Sequence, residues 1–150
     1  MPQSITITIA SIKDLPDIEE LMGELIDALN TKEGINRQAL ARSLNKLYKA
    51  QNSYMLVAKK DGRTIGFAQF YTRQTALNPK PCAMLDELVV AKKYRRRGIG
   101  KLLIKKVIDE CRKLDCYEIE VTTEITNSIA HKFYKDCGLI EEGTLFEKHL

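Results

Sequence analysis

The sequence predicts a mixed α/β fold, in which helices cover both faces of a central mixed, mostly antiparallel sheet. Three observations carry this. The apolar residues change spacing along the chain, from every second residue to every third or fourth and back. The resulting element order is β-α-α-β-β-β-α-β-α-β. Within it, three strands of antiparallel type feed a β-α-β crossover, and a crossover places helices over a sheet that holds at least one parallel pair.

Residues 4–10 alternate Ile5, Ile7 and Ile9 with polar neighbours, the pattern of a strand. Asp14 is placed to cap a helix with Pro16 in its first turn, and Ile18, Leu21, Met22, Leu25 and Leu29 form its apolar stripe. A second helix runs from Asn36 to Lys49 with Leu40, Leu44 and Leu47 inward. Ser53–Lys60 and Thr64–Arg73 read as strands joined at Asp61-Gly62, a hairpin signal. Gln74–Pro81 is the longest expected loop, and residues 83–91 form a further strand. Residues 98–114 repeat Ile99, Leu103, Val107, Cys111 and Leu114 at helical spacing, with Ile104 and Ile108 widening the stripe. Tyr117–Thr123 is a strand with Ile119 and Val121 inward. Asn127–Cys137 is a short helix ended by Gly138, and Leu139–His149 is expected to return as one or two strands.

The bulk numbers narrow the class. A chain of 150 residues fits one domain spanning 1–150. Its net charge of +4 suits an anionic small ligand as well as a weak attraction to nucleic acid. The start, Met-Pro-Gln-Ser, lacks a basic segment leading into an apolar run, and no apolar stretch nears the ~20 residues of a membrane helix. These features point to a cytoplasmic protein with no membrane partner. Cys82, Cys111, Cys116 and Cys137 form no Cys-x-x-Cys pair, and His131 and His149 lack zinc-ligand spacing, so free thiols and no metal are expected.

The chemistry concentrates where a strand ends in a basic glycine loop that opens a helix: Leu88-Val89-Val90-Ala91-Lys92-Lys93-Tyr94-Arg95-Arg96-Arg97-Gly98-Ile99-Gly100-Lys101. The first turn of a helix has unpaired N–H groups and a partial positive charge, which together favour an anion. Gly98 and Gly100 lack a Cβ, so backbone can approach phosphate oxygens, and Arg95, Arg96 and Arg97 add fork-shaped donors. Rival loops fit less well. A Walker-type loop needs Gly where Arg95 stands and Ser or Thr where Leu102 stands, and a dinucleotide fingerprint needs Gly at Leu103. The basic run is short and has only Tyr94 interleaved, which argues against a nucleic-acid partner.

This loop, as Arg95, Gly98 and Gly100 after a Leu-Val-Val strand end, resembles motif A of the GNAT superfamily of N-acetyltransferases. Downstream, Asn127-Ser128-Ile129-Ala130-His131-Lys132-Phe133-Tyr134-Lys135-Asp136-Cys137-Gly138-Leu139 resembles motif B, and the element order is similar too. The resemblance implies a sheet splayed between the fourth and fifth strands, with acetyl-CoA as co-substrate in the gap. It further implies that backbone groups of Leu88, Val89 and Val90 pair with the pantetheine arm. The N–H groups from Arg96 through Gly98 and Ile99 to Lys101 would hold the pyrophosphate, Asn127 would bond the pantetheine or its thioester end, and Tyr134 would point at the sulfur.

Acetyl transfer to an amine needs a base for the ammonium, donors for the oxyanion and an acid for the thiolate. The resemblance implies Tyr134 as the acid and the Leu88 N–H as an oxyanion donor. The base stays open between Asp86, Glu87, a water chain or another acid. Asp86 and Glu87 are adjacent, so regular alternation sends only one into the cleft. Counting back from Leu-Val-Val puts Asp86 there, in line with Leu88, where it could also recognise the ammonium, while Glu87 fills a place common in the family. Glu24, Asp27 and Tyr71 are candidates for the acceptor pocket, and Cys137 reads as packing. The expected function is transfer of the acetyl group to a primary amine of a small molecule, by direct attack in a ternary complex. A polyamine, an aminoglycoside-like compound or an aminophosphonate would qualify, with a peptide amine as another acceptor. The alternative is a non-catalytic acyl-CoA-binding regulatory module. Family members often pair through the C-terminal strands, which implies a homodimer as a further partnership.

Overall fold

The structure, a computed structural model, describes residues 4–29 and 34–150. Met1–Gln3, at which a leader sequence would begin, lie outside the described residues. The strands are Thr6–Ile9 (β1), Ser53–Lys60 (β2), Arg63–Arg73 (β3), Cys82–Val90 (β4) and Glu118–Val121 (β5). The α-helices are Leu15–Ala28 (α1), Leu40–Lys49 (α2), Ile99–Lys113 (α3) and Ser128–Asp136 (α4).

The strands lie side by side in chain order, antiparallel from β1 to β4 and parallel between β4 and β5. Two apolar layers sandwich the sheet. On one face α3 buries Ile99, Leu103, Ile104 and Val107 against Leu56, Ala68, Phe70, Ala83 and Leu85. On the other, α1 and α2 bury Ile18, Leu21, Met22 and Leu44 against Met55, Val57, Phe67 and Val89. The expected mixed sheet with helices on both faces is therefore what forms. The Asp61-Gly62 turn has φ of 52° and 78°, the left-handed pair that a tight two-residue hairpin requires.

Several expectations need correction. Asp14 precedes α1, but its side chain makes no capping bond there. Instead it turns into the sheet, where its carboxylate accepts from Ser11 N–H (2.7 Å) and Thr64 Oγ1 (3.2 Å) and pairs with Lys59 Nζ (2.7 Å). The helix expected from Asn36 begins as a 3-10 turn, with Asn36 Oδ1 accepting from Ala39 N–H at 3.1 Å, and becomes α-helical at Leu40. The strands expected at Leu139–His149 are absent, since residues 139–150 have no ladder partner in the described chain. Apolar alternation specifies a face but not a partner, and Glu141 is drawn back to Lys135 Nζ at 3.1 Å.

Asp14 generates a stability prediction. Burial alone raises its pKa, but Lys59, the Ser11 N–H and the Thr64 hydroxyl outweigh that and hold it below its ordinary value of 3.8. A carboxylate whose folded pKa is depressed stabilises the fold above the unfolded value, and that stability fades as pH falls through the folded value. Asp14→Asn, which strands Lys59, is expected to cost about 1–3 kcal/mol at pH 7. Urea denaturation should show the gap to wild type narrowing below about pH 4.

Candidate active site

β4 and β5 stay together only briefly. Their parallel register runs from Cys82↔Glu118 to Leu85↔Val121 and stops, so the rest of β4, through Val90, has no neighbour on that side. The other side of β4 remains bonded to β3 as far as Gly66↔Val90, and Ala91 N–H donates to Ile65 O at 2.8 Å. Antiparallel ladders alternate, so Val89 turns its backbone toward β3 while Leu88 and Val90 turn theirs into the splay. Apart from Val90 O, which accepts from Arg95, these strand-edge groups have no ladder partner and can take up an extended ligand as an added strand.

The loop that follows is shaped by two left-handed residues. Arg96 has φ of 64° and Gly98 has φ of 80°, with Arg97 between them. Gly98 is the residue before α3, and no side chain caps the helix. The first intrahelical bond in its opening turn is Leu102 N–H to Gly98 O at 3.1 Å. The N–H groups of Ile99, Gly100 and Lys101 precede it and point out of the helix start. The two glycines serve different ends. Gly98 is needed for its backbone angle, because a Cβ there meets nothing within 4 Å. At Gly100 a Cβ would come within 3.2 Å of Phe133 Cζ on α4, so its bareness lets α4 close against the start of α3.

The basic side chains divide their work. Arg95 Nε donates to Val90 O (2.8 Å), and its guanidinium lies 3.8 Å from Glu24 Oε2 on α1. Glu24 also accepts from Lys92 N–H at 2.9 Å. Glu24, a candidate for the acceptor pocket, thus anchors the loop. Asp27 is engaged by Arg37 at 2.8 Å. Arg97 lies over the Tyr94 ring at 5.6 Å, beside Lys60 and Lys93. Arg96 is exposed.

On the far side of the splay, Asn127 caps α4 through Oδ1, which accepts from Ala130 N–H at 3.1 Å. Its amide nitrogen is the donor it can offer a ligand. Tyr134 lies on α4 with its ring edge-on to Phe133, the centroids 5.2 Å apart. Burial, with a smaller contribution from Cys137, pushes its phenol up to about 12, so the O–H stays intact at neutral pH. Burial also raises Cys137, which keeps it a thiol.

The carboxylates depart from regular alternation. Gln69 faces Glu87 and Phe70 faces Leu85, so Asp86 is an extra residue in a β-bulge. The bulge reverses the face of everything beyond it: Leu85 lies on the α3 side, whereas Val89 lies on the α1–α2 side. Glu87 has the parity of Val89 and shares its face with Gln69. Asp86 is exposed at the bulge, and partial loss of hydration around its carboxyl raises its pKa. Glu87 is more enclosed. Burial first, and the Asp86 charge second, push its pKa to about 7. The bulge and Gln69 had no mark in the sequence, because one inserted residue leaves the apolar pattern on each side intact. Tyr71, across from Met84, lies two residues from Gln69 on the same face.

Comparison with known proteins agrees with this geometry. Residues 19–139 match the model of the acetyltransferase (GNAT) family. N-alpha-acetyltransferase 30 of Xenopus laevis is 44% identical over 63 residues, 42% of this chain and 23% of that protein. The chain thus matches under a quarter of that relative's length. Aminoglycoside N(6')-acetyltransferase type 1 of Stenotrophomonas maltophilia is 26% identical over 95 residues, covering 61% of this chain and 62% of that one. Among solved structures, an aminoglycoside N-acetyltransferase in complex with CoA superposes with a TM-score of 0.86 at 23% identity, covering 99% and 97% of the two chains. A fold that parts its sheet beside a helix start, and a family match across most of its length, lead to one conclusion: the chain belongs to the GNAT acetyltransferase family, a family of acyltransferases.

Proposed function

We propose that the chain is an N-acetyltransferase that moves the acetyl group of acetyl-CoA to a primary amine of a small molecule. The observation that carries this reading is the splay. It leaves the backbone of Leu88 and Val90 without a strand neighbour on one side, ahead of the N–H groups that open α3, with Glu87, its pKa pushed to about 7, on the strand itself. Coenzyme A supplies a thioester and an anionic diphosphate. In this reading the diphosphate lies on the N–H groups of Gly98 to Lys101, with Arg96 and Arg97 adding charge. The pantetheine arm runs along Leu88–Val90, and Asn127 donates to it.

The acceptor arrives as an ammonium, which has no lone pair. Glu87 takes one proton from it, and the freed nitrogen attacks the thioester carbonyl. Leu88 N–H donates to the oxygen as negative charge builds there. As the intermediate collapses, the carbon–sulfur bond breaks, the departing sulfur takes the Tyr134 proton, and the nitrogen's remaining surplus proton returns to the phenolate, leaving the amide and a free thiol. A base near 7 is matched to neutral operation, since it is ionised in part yet strong enough to accept a proton. Asp86, exposed one residue away, draws the cationic acceptor toward the bulge. The small-molecule class is supported by the relatives named for aminoglycosides and for glucosamine 6-phosphate. A peptide amine is the second reading, and the 44% identity to an N-alpha-acetyltransferase favours it.

Free-thiol release against a panel of small amines and peptide N-termini tests both readings. Glu87→Gln is expected to lower kcat/KM by ~10²-fold or more, and Tyr134→Phe to lower kcat by ~10-fold or more. The wild-type kcat/KM should rise with pH through about 7, because the carboxylate is the active form. An enzyme whose rate ignores both changes would refute these roles. Tight acetyl-CoA binding without release from any amine would instead favour the non-catalytic acyl-CoA-binding module.

We also propose that two copies pair through residues 139–150. Ile140 is 80% exposed, Leu145 63% and Phe146 90%, while the outer edge of β5 ends the sheet. Light scattering is expected to give twice the chain mass, and a variant ending at Leu139 is expected to give the mass of one chain.

A further inference from the structure

On β3 a buried amide has half of its hydrogen-bonding capacity unmet. Gln69 is 1% exposed, and its Nε2 donates to Ser53 Oγ at 3.1 Å. Its carbonyl oxygen, Oε1, is buried without a hydrogen-bond partner. Buried acceptors of this kind are rare in native folds because their hydration is lost with nothing in return.

Gln69 is the cross-strand partner of Glu87. Directly opposed residues share a face with Cβ atoms about 5 Å apart, so two side chains of this length are within reach of each other. The bulge makes this pairing. Phe70 faces Leu85, so a regular ladder would set Gln69 against Asp86, and the extra residue sets it against Glu87 instead. Asp86 lies beside Glu87 along the strand, and Tyr71 on β3 and Ser53 on β2 share the face of Gln69. Among these, Asp86 is the charge that acts on it.

We propose that Gln69 is a positioning residue, whose Oε1 accepts the hydrogen bond donated by the Glu87 carboxyl once that carboxyl has taken the acceptor amine's proton. The inference rests on the reading of Glu87 as the base. The contact does two things. In the carboxylate form, the carbonyl lone pairs repel those of Glu87 and leave its charge to the incoming ammonium. In the acid form, Oε1 holds the O–H away from the nascent amide, so the proton does not return before the intermediate collapses.

The test is the titration of Glu87 itself, followed by carbon-13 NMR of the glutamate side-chain carboxyls, with the Glu87 signal assigned by its loss in Glu87→Gln. Gln69→Met fills the same volume without an acceptor, so exclusion of water at Glu87 is kept while support for the neutral acid is removed. The Glu87 midpoint is expected to fall by roughly half a unit to one unit. The acid limb of kcat/KM should move down by the same amount. Ser53→Ala, which removes the other bond of the amide and keeps Oε1, is expected to leave the midpoint in place and reports whether repacking alone can shift it. An unmoved or raised midpoint in Gln69→Met, or an equal shift in Ser53→Ala, overturns the proposal. A midpoint that falls while the activity profile stays put upholds the contact and overturns Glu87 as the base.

Discussion

The structure depends on the parting of β4 from β5 after four paired residues. A strand inside a sheet normally spends its N–H and C=O groups on two neighbours. Here β3 satisfies one side of β4 to its end, while the second side is open beyond Leu85. Both strands are still fixed by the α3 layer, since Leu85 and Val107 are buried in it and Ile119, Val121, Phe133 and Tyr134 pack against it. The opening is therefore held by packing, and an extended chain of matching spacing can fill it.

Two further features are aligned to that opening. The turn through Arg96 and Gly98 swings the chain from the strand end into α3, so the unpaired N–H groups of the helix start sit just past the strand edge. Arg95 ties the loop to the strand by its bond to Val90 O. The contact of Gly100 with Phe133 then ties α3 to α4, which carries Asn127 and Tyr134. A strand edge without a partner and a helix start with free N–H groups thus follow one another along the chain. The bulge at Asp86 adds the carboxyl: one extra residue turns Glu87 to the α1–α2 face and into surroundings that favour its neutral form.

Much of this was legible in the sequence. The helix at Ile99 shows in the spacing of its apolar residues, and the hairpin in Asp61-Gly62. The turn into α3 shows because left-handed positions demand particular residues, and Gly98 holds one of them. What was not legible depends on partners rather than on local preference. The bulge inserts a residue without disturbing the alternation on either side, so counting back from Leu-Val-Val sets Asp86 in line with Leu88, whereas the ladder leaves it unpaired. Gln69 reads as an ordinary polar strand residue until its opposite number is known. The contact of Gly100 with Phe133 likewise has no mark in the sequence, because it depends on where α4 packs. Residues 139–150 carry apolar side chains suited to a strand, yet a strand exists only where another lies beside it, and the described residues offer none.

The central claim is that specific backbone amides meet coenzyme A along the splay and at the start of α3. Amide NMR of the nitrogen-15-labelled protein, with and without coenzyme A, tests it residue by residue. The account predicts large shifts at Leu88, Val90, Ile99, Gly100 and Lys101, with small ones along β1 and β2. Shifts spread over basic side chains elsewhere, with those five amides unmoved, would contradict it.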